Sequence, residues 1–202
     1  MTIEAPIWIY WVFCSVATLA VLKYRQQIPQ LLSPTLGEVD SRSGYLRDLG
    51  IGWVTTLVAA ALYVLFTQKY ETGPYQLPDL VIFSAFNGIL EQFMFVFWFL
   101  LGCYGLRALA GRNSRWLFAG GYIGYAVYSG FIHALFWVKV LPDHNPVAFM
   151  AGALAAMSLA WMWLYWRYRA FWQIVLMHVA IDFLTVGHLH FTWFEPIQAF
   201  TP

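Results

Sequence analysis

His178 and Asp182 stand four residues apart in a segment with no other charge between Phe171 and Gly187. On a helix that spacing puts both side chains on one face, one turn apart, where the carboxylate can orient or charge the imidazole. Glu91 lies in the middle of another apolar segment with Asn87 four residues before it, and His133 follows Ser129 by four and Tyr125 by eight. Three segments therefore each carry a polar stripe. A carboxylate able to take a proton at neutral pH serves as general base toward water, and imidazoles aimed at a carbonyl stabilise a developing oxyanion. Glu91, His133, His178 and Asp182 together suit amide hydrolysis. The same residue types also suit a metal such as zinc, held by Glu91, His133 and His178 with one position open. A third option, bis-His haem through His133 and His178, uses neither Glu91 nor Asp182. The purely structural option is interhelical hydrogen bonding, in which a Glu and a His simply hold two helices together.

What must position these groups follows from composition. The 202 residues are 61% hydrophobic and 10% charged, against about a quarter charged in soluble domains. So few charges cannot solvate a globule of this size, and the long apolar runs match a bilayer core of about 30 Å. Aromatic residues reach 20%, including 11 Trp and 12 Tyr, as expected of many membrane interfaces. A net charge of +1 gives no footing to a nucleic-acid partner. Cys14 and Cys103 both fall in apolar runs and read as small buried hydrophobes.

Six apolar stretches read as membrane-spanning helices: Ile7 to Leu22, Leu49 to Phe66, Leu80 to Leu106, Trp116 to Leu141, Val147 to Trp166 and Phe171 to Gly187. The expected fold class is therefore all-α, a polytopic transmembrane helical bundle of about six spans. It forms a single integral membrane domain over residues 1–202, with the polar segments in a core of about 80–190. The first stretch lacks an A-x-A-like site after it and is preceded by Glu4 rather than Lys or Arg, so it is expected to stay as a span. Small residues, Gly120 and Gly124 in the fourth span and Ala151, Gly152, Ala155 and Ala156 in the fifth, are expected where helices approach closely. Ionisable groups at membrane depth cost about 2.5–3.5 kcal/mol or more each, so the three stripes are expected to turn toward one another around a polar cavity. His188, His190 and His144 read as interfacial or turn residues instead, with His188 able to approach the cavity mouth.

The segments Asn87-Gly-Ile-Leu-Glu91-Gln92-Phe-Met-Phe95-Val96, Ser129-Gly-Phe-Ile-His133 and His178-Val-Ala-Ile-Asp182 resemble the three motifs of the CAAX protease and bacteriocin-processing family of glutamate-type intramembrane proteases. Those motifs are Glu-Glu-x-x-x-Arg, Phe-x-x-x-His and His-x-x-x-Asn/Asp. The likeness spans about Asn87 to Leu184, and the third motif matches in full. It implies that Glu91 activates the attacking water, that His133 helps stabilise the oxyanion, and that His178 and Asp182 complete the polar site. Gln92 stands in place of the second Glu, Val96 in place of the Arg, and Ser129 in place of the Phe. The resemblance implies an intramembrane endopeptidase acting on a membrane protein or peptide close to the bilayer, with no cofactor expected beyond the zinc considered above. Because members of that family also serve as scaffolds or maturation factors, it equally allows a catalytically inactive scaffold, assembly factor or subunit of a larger membrane complex.

Orientation follows from the basic residues, which cytoplasmic loops retain. Lys23, Arg25, Arg42, Arg47, Arg107, Arg112, Arg115, Arg167 and Arg169 fall in odd-numbered loops, nine of the 11 Lys and Arg, leaving Lys69 and Lys139 for the even ones. Both termini are thus expected outside and loops one, three and five in the cytoplasm. A cysteine introduced near Gly111 is expected to react with impermeant thiol reagents from the cytoplasmic side alone. Labelling from outside reverses the orientation.

Overall fold

The structure, a computed structural model, describes residues 4–27, 43–66, 77–110, 113–140 and 147–186. The loop residues Ile28, Leu31 and Leu32, the Pro142–Pro146 turn with His144, and His188, His190 and Gly111 lie outside the described residues. The described residues form six helices: α1 (Glu4–Tyr24), α2 (Tyr45–Phe66), α3 (Leu77–Ala110), α4 (Ser114–Val140), α5 (Val147–Tyr168) and α6 (Phe171–Thr185). No strand occurs among the described residues, and the protein is an all-helical bundle. Each helix falls on one of the six apolar stretches of the sequence. α1, α2 and α3 are long and apolar enough to cross a membrane, and α6 is a shorter apolar helix.

The outer faces carry large apolar side chains. Trp8, Ile9, Val12, Phe13, Val16 and Leu19 are exposed along α1, and Val54, Leu57 and Val58 along α2. In water such patches drive association, whereas lipid covers them at no cost. α3 is the axis of the bundle, packing against α1, α4 and α6, while α2 packs against α5 and α6. At 34 residues and about 1.5 Å per residue, α3 exceeds the thickness of a bilayer core.

Two devices hold the helices in register. The first is the α3–α4 seam. A Cβ on Gly102 would lie 2.2 Å from the Gly120 carbonyl oxygen, and one on Gly124 would lie 2.6 Å from the Trp98 carbonyl oxygen. The backbones touch there because Gly102, Gly120 and Gly124 have no side chains to hold them apart, the close approach that small residues permit in lipid. Gly120 and Gly124 thus pack as the sequence suggests, but Ala151, Gly152, Ala155 and Ala156 do not. All four are exposed, and open space surrounds Gly152. α5 meets α2 through another face, buried at Met150, Met157, Trp161 and Leu164, which leaves the small-residue face outward.

The second device is a polar pin at the start of α2. Buried Asp48 accepts hydrogen bonds from Trp163 Nε1 at 2.9 Å, Tyr168 OH at 2.9 Å and Arg47 Nε at 2.9 Å, and Arg167 lies 3.8 Å away. Deeper in, Trp161 Nε1 donates to Thr56 Oγ1 at 2.9 Å, and Thr56 returns its hydroxyl to the Gly52 carbonyl. These bonds clamp α2 to α5 at two heights. α5 and α6 are joined by a tight reversal in which Arg169 adopts φ 54°, a left-handed conformation uncommon for a residue with a side chain. Cys14 and Cys103 are buried and unlinked.

The seam yields a paired expectation. Gly102→Ala drives a methyl into the facing backbone and lowers stability by about 1–3 kcal/mol. Gly130→Ala, where nothing lies within 4 Å, does not. Thermal unfolding in detergent compares them, and equal melting temperatures contradict the seam.

Candidate functional site

α3 and α6 bring the polar stripes together because Gly88 lets them. A Cβ there would meet the Val179 backbone nitrogen at 2.8 Å, so α6 lies directly on α3 just beside Asn87. His178 Nε2 then reaches Glu91 Oε2 at 3.3 Å and Asp182 Oδ1 at 3.8 Å. Asn87 Nδ2 donates to Glu91 Oε2 at 2.8 Å and to Asp182 Oδ2 at 3.0 Å, bridging the two acids. Glu91, His178 and Asn87 are buried, so their partners must come from protein.

Gln92, one step along α3, serves the other side of the ring: His178 Nδ1 lies 3.2 Å from its Oε1. Both ring nitrogens therefore face acceptors, the pattern an imidazolium satisfies. The Gln92 amide nitrogen is buried without a hydrogen-bond partner. Turning the amide over would present that nitrogen to Nδ1 and serve a neutral ring instead. A Gln thus accommodates His178 in either protonation state, which a second carboxylate would not do.

Two contributors come from α1, which the sequence reading leaves out of the site. Tyr10 OH donates to Glu91 Oε1 at 2.5 Å, and Trp11 Nε1 donates to Asn87 Oδ1 at 3.0 Å. Tyr128 of α4 donates in turn to the Tyr10 oxygen at 3.0 Å. Glu91 thus accepts from Tyr10 on one oxygen and from Asn87 on the other, with His178 also against the second. In the sequence Tyr10 and Trp11 are indistinguishable from interfacial aromatics. The available signal is the spacing Ile7, Trp11, Cys14, Ala17 and Val21, the buried edge of α1, which points Trp11 inward.

His133 occupies a different position from the one expected. Its Nδ1 donates to the Ser129 carbonyl of its own helix at 2.7 Å, with Ser129 Oγ at 3.3 Å. The fully buried Phe95 ring stacks on His178 at 5.5 Å between centroids and 6° between planes, and on His133 at 6.3 Å and 21°. Tyr125 meets the same ring edge-on at 5.0 Å. Instead of three stripes around one cavity, α3 and α6 share a hydrogen-bonded cluster and the α4 stripe reaches it across an aromatic ring. Phe95 is one turn beyond Glu91, on the same face of α3, which is why its ring falls there.

Among the described residues, no group of three His, Cys, Asp or Glu side chains could hold a metal ion. Glu91 and His178 face each other and are further held by Tyr10, Asn87 and Gln92, while His133 Nδ1 is held by the Ser129 carbonyl. The zinc set allowed by residue type does not fit this arrangement.

No protein-family model, curated protein or solved structure matches the chain.

The Asn87 bridge can be tested by rescue. Asn87→Ala removes a donor shared by two acids, and hydrogen bonds to charged groups are worth about 1.5–3 kcal/mol each, so a loss of about 3 kcal/mol is expected. Adding Asp182→Asn to that variant removes one of the facing acids and should restore part of the loss in denaturant titration. No recovery means the acids are not coupled through Asn87.

Proposed function

We propose that this is an integral membrane protein with six spans and both termini outside, and that it hydrolyses a peptide bond of a membrane protein or peptide near the bilayer. The observation that carries the reading is the Glu91–His178 contact at 3.3 Å, buried in a helical bundle whose outer faces are apolar. In the reaction, water attacks the scissile carbonyl carbon while Glu91 takes a water proton and later delivers it to the departing amine. His178, oriented by Gln92 and Asp182, donates to the oxyanion. His133 joins as a second donor when Phe95 swings aside, which merges the α4 stripe with the cluster. The form described here is the resting one, with protein donors on both Glu91 oxygens.

A second reading draws on that same saturation. A polar core whose acceptors are met internally also suits a catalytically inactive scaffold or assembly factor, in which the cluster fixes α1, α3 and α6 for docking within a larger membrane complex.

The test uses the protein in liposomes fused with membranes of its source cells, with new protein N-termini read by mass spectrometry. The wild type is expected to generate termini within or beside apolar segments, and Glu91→Gln none. Because the amide turns one acceptor into a donor facing other donors, the variant should also melt a few degrees lower, so both proteins are compared below its transition. New termini at equal rates in both sink the glutamate mechanism. None in either, with a co-purifying membrane partner lost on Gly102→Ala, leaves the scaffold.

A further inference from the structure

We infer that Tyr10 is the positioning residue of Glu91, acting from α1, so that the site is complete only while α1 is docked on α3. The proposal rests on reading Glu91 as the reactive carboxylate.

Its basis is an asymmetry in how the two carboxylate oxygens are held. Oε2 is met by Asn87 on the same helix and by His178 on α6, both fixed by the packing of α3 against α6. Oε1 is met by Tyr10. A carboxylate on a flexible stem pivots about its Cγ–Cδ bond unless both oxygens are tied. The plane of Glu91, and with it the direction in which a lone pair faces an incoming water, is therefore set by a hydroxyl from a helix outside the three motif-bearing segments.

The Tyr10 hydroxyl is itself aimed. Tyr128 OH donates to it at 3.0 Å, so its oxygen is occupied as acceptor and its proton is directed at Glu91. Hydrogen bonds in such a chain polarise one another, which strengthens the last one. Neighbouring packing keeps the ring in place: Tyr10 lies against the cluster of Cys14, Ala17 and Met94, where Tyr128 and Trp98 also pack, and the Trp98 and Tyr128 rings stack at 5.3 Å. Val96, where the first motif's Arg would stand, is fully buried and apolar, so α3 offers no cation for this task. A neutral hydroxyl supplies the donor without adding charge to a cluster that already holds an imidazole and two acids.

α1 packs principally along α3, and its opposite face is apolar and exposed. Tyr10 and Trp11 are thus the polar links between a peripheral helix and the buried site. Trp11 serves as the internal control, since it also reaches across from α1 but touches Asn87 rather than Glu91.

The test is infrared spectroscopy of the full chain in liposomes, with the Glu91 carboxylate stretching bands assigned as those that vanish in Glu91→Gln. Tyr10→Phe, which keeps the ring and its packing, should shift these bands. Tyr128→Phe should shift them in the same direction by less, and Trp11→Phe, which reaches Glu91 only through Asn87, should move them less than Tyr10→Phe does. If peptidase activity is found, Tyr10→Phe should also lower kcat by at least about tenfold, the loss of one hydrogen bond to a charged acceptor, with KM little changed. Unmoved bands in Tyr10→Phe overturn the proposal, and so do bands moved equally by Trp11→Phe, since α1 docking alone would then account for the effect. The spectra report the carboxylate directly, so they stand or fall independently of whether any peptide is cleaved.

Discussion

A carboxylate buried among apolar helices has no water to turn to, so its lone pairs must be met by donors built into the protein. Glu91 imposes that demand here, and much of the architecture answers it. Asn87 is placed one turn before it, His178 is delivered by α6, and Tyr10 is delivered by α1. Asp182 adds a second acid to the same space, and Asn87 is the group that lets the two acids coexist, since its amide donates to both. An unpaired charge at this depth would be severely destabilising, and the cluster is accordingly also what ties α1, α3 and α6 to one another.

Close backbone contact makes this possible. At Gly88 the α6 backbone lies where any Cβ would collide, and that proximity, rather than side-chain length, brings an imidazole within reach of Glu91. The Gly102–Gly120–Gly124 seam does the same for α3 and α4, holding the α4 stripe near the site. At the other end, Asp48 pins α2 to α5 through Trp163 and Tyr168, so the second pair of helices is fixed by a separate polar knot. Two polar clusters at different places along the bundle suppress sliding between helices whose apolar surfaces would otherwise pack in many registers.

The Phe95 ring stacks on both imidazoles of the site, His178 and His133. The ring is fully buried against Tyr125 and Tyr128 as well, held by dispersive contacts and not by hydrogen bonds. The two proposed readings differ at this side chain: on the peptidase reading the ring moves aside so that His133 joins the cluster, and on the scaffold reading it stays in place.

The sequence by itself determined the class of the protein and the identity of its central groups. Composition and unbroken apolar runs are set by the solvent each helix must meet, so the six helices were legible without any tertiary information. The four-residue spacings of Asn87 with Glu91 and His178 with Asp182 are properties of a single helix, and they too were legible. Only the tertiary structure decided which stripes met. Periodicity does not encode how a helix is rotated against its neighbours, so it could not show that the Phe95 ring stacks on both His178 and His133, nor that the small residues of α5 face outward while those of α4 are packed. Tyr10 and Trp11 were hidden for the same reason. In an apolar run rich in aromatics, an inward hydroxyl or indole looks like an interfacial one until the partner across the helix pair is placed, because hydrogen bonding at long range depends on position in space and not on order along the chain.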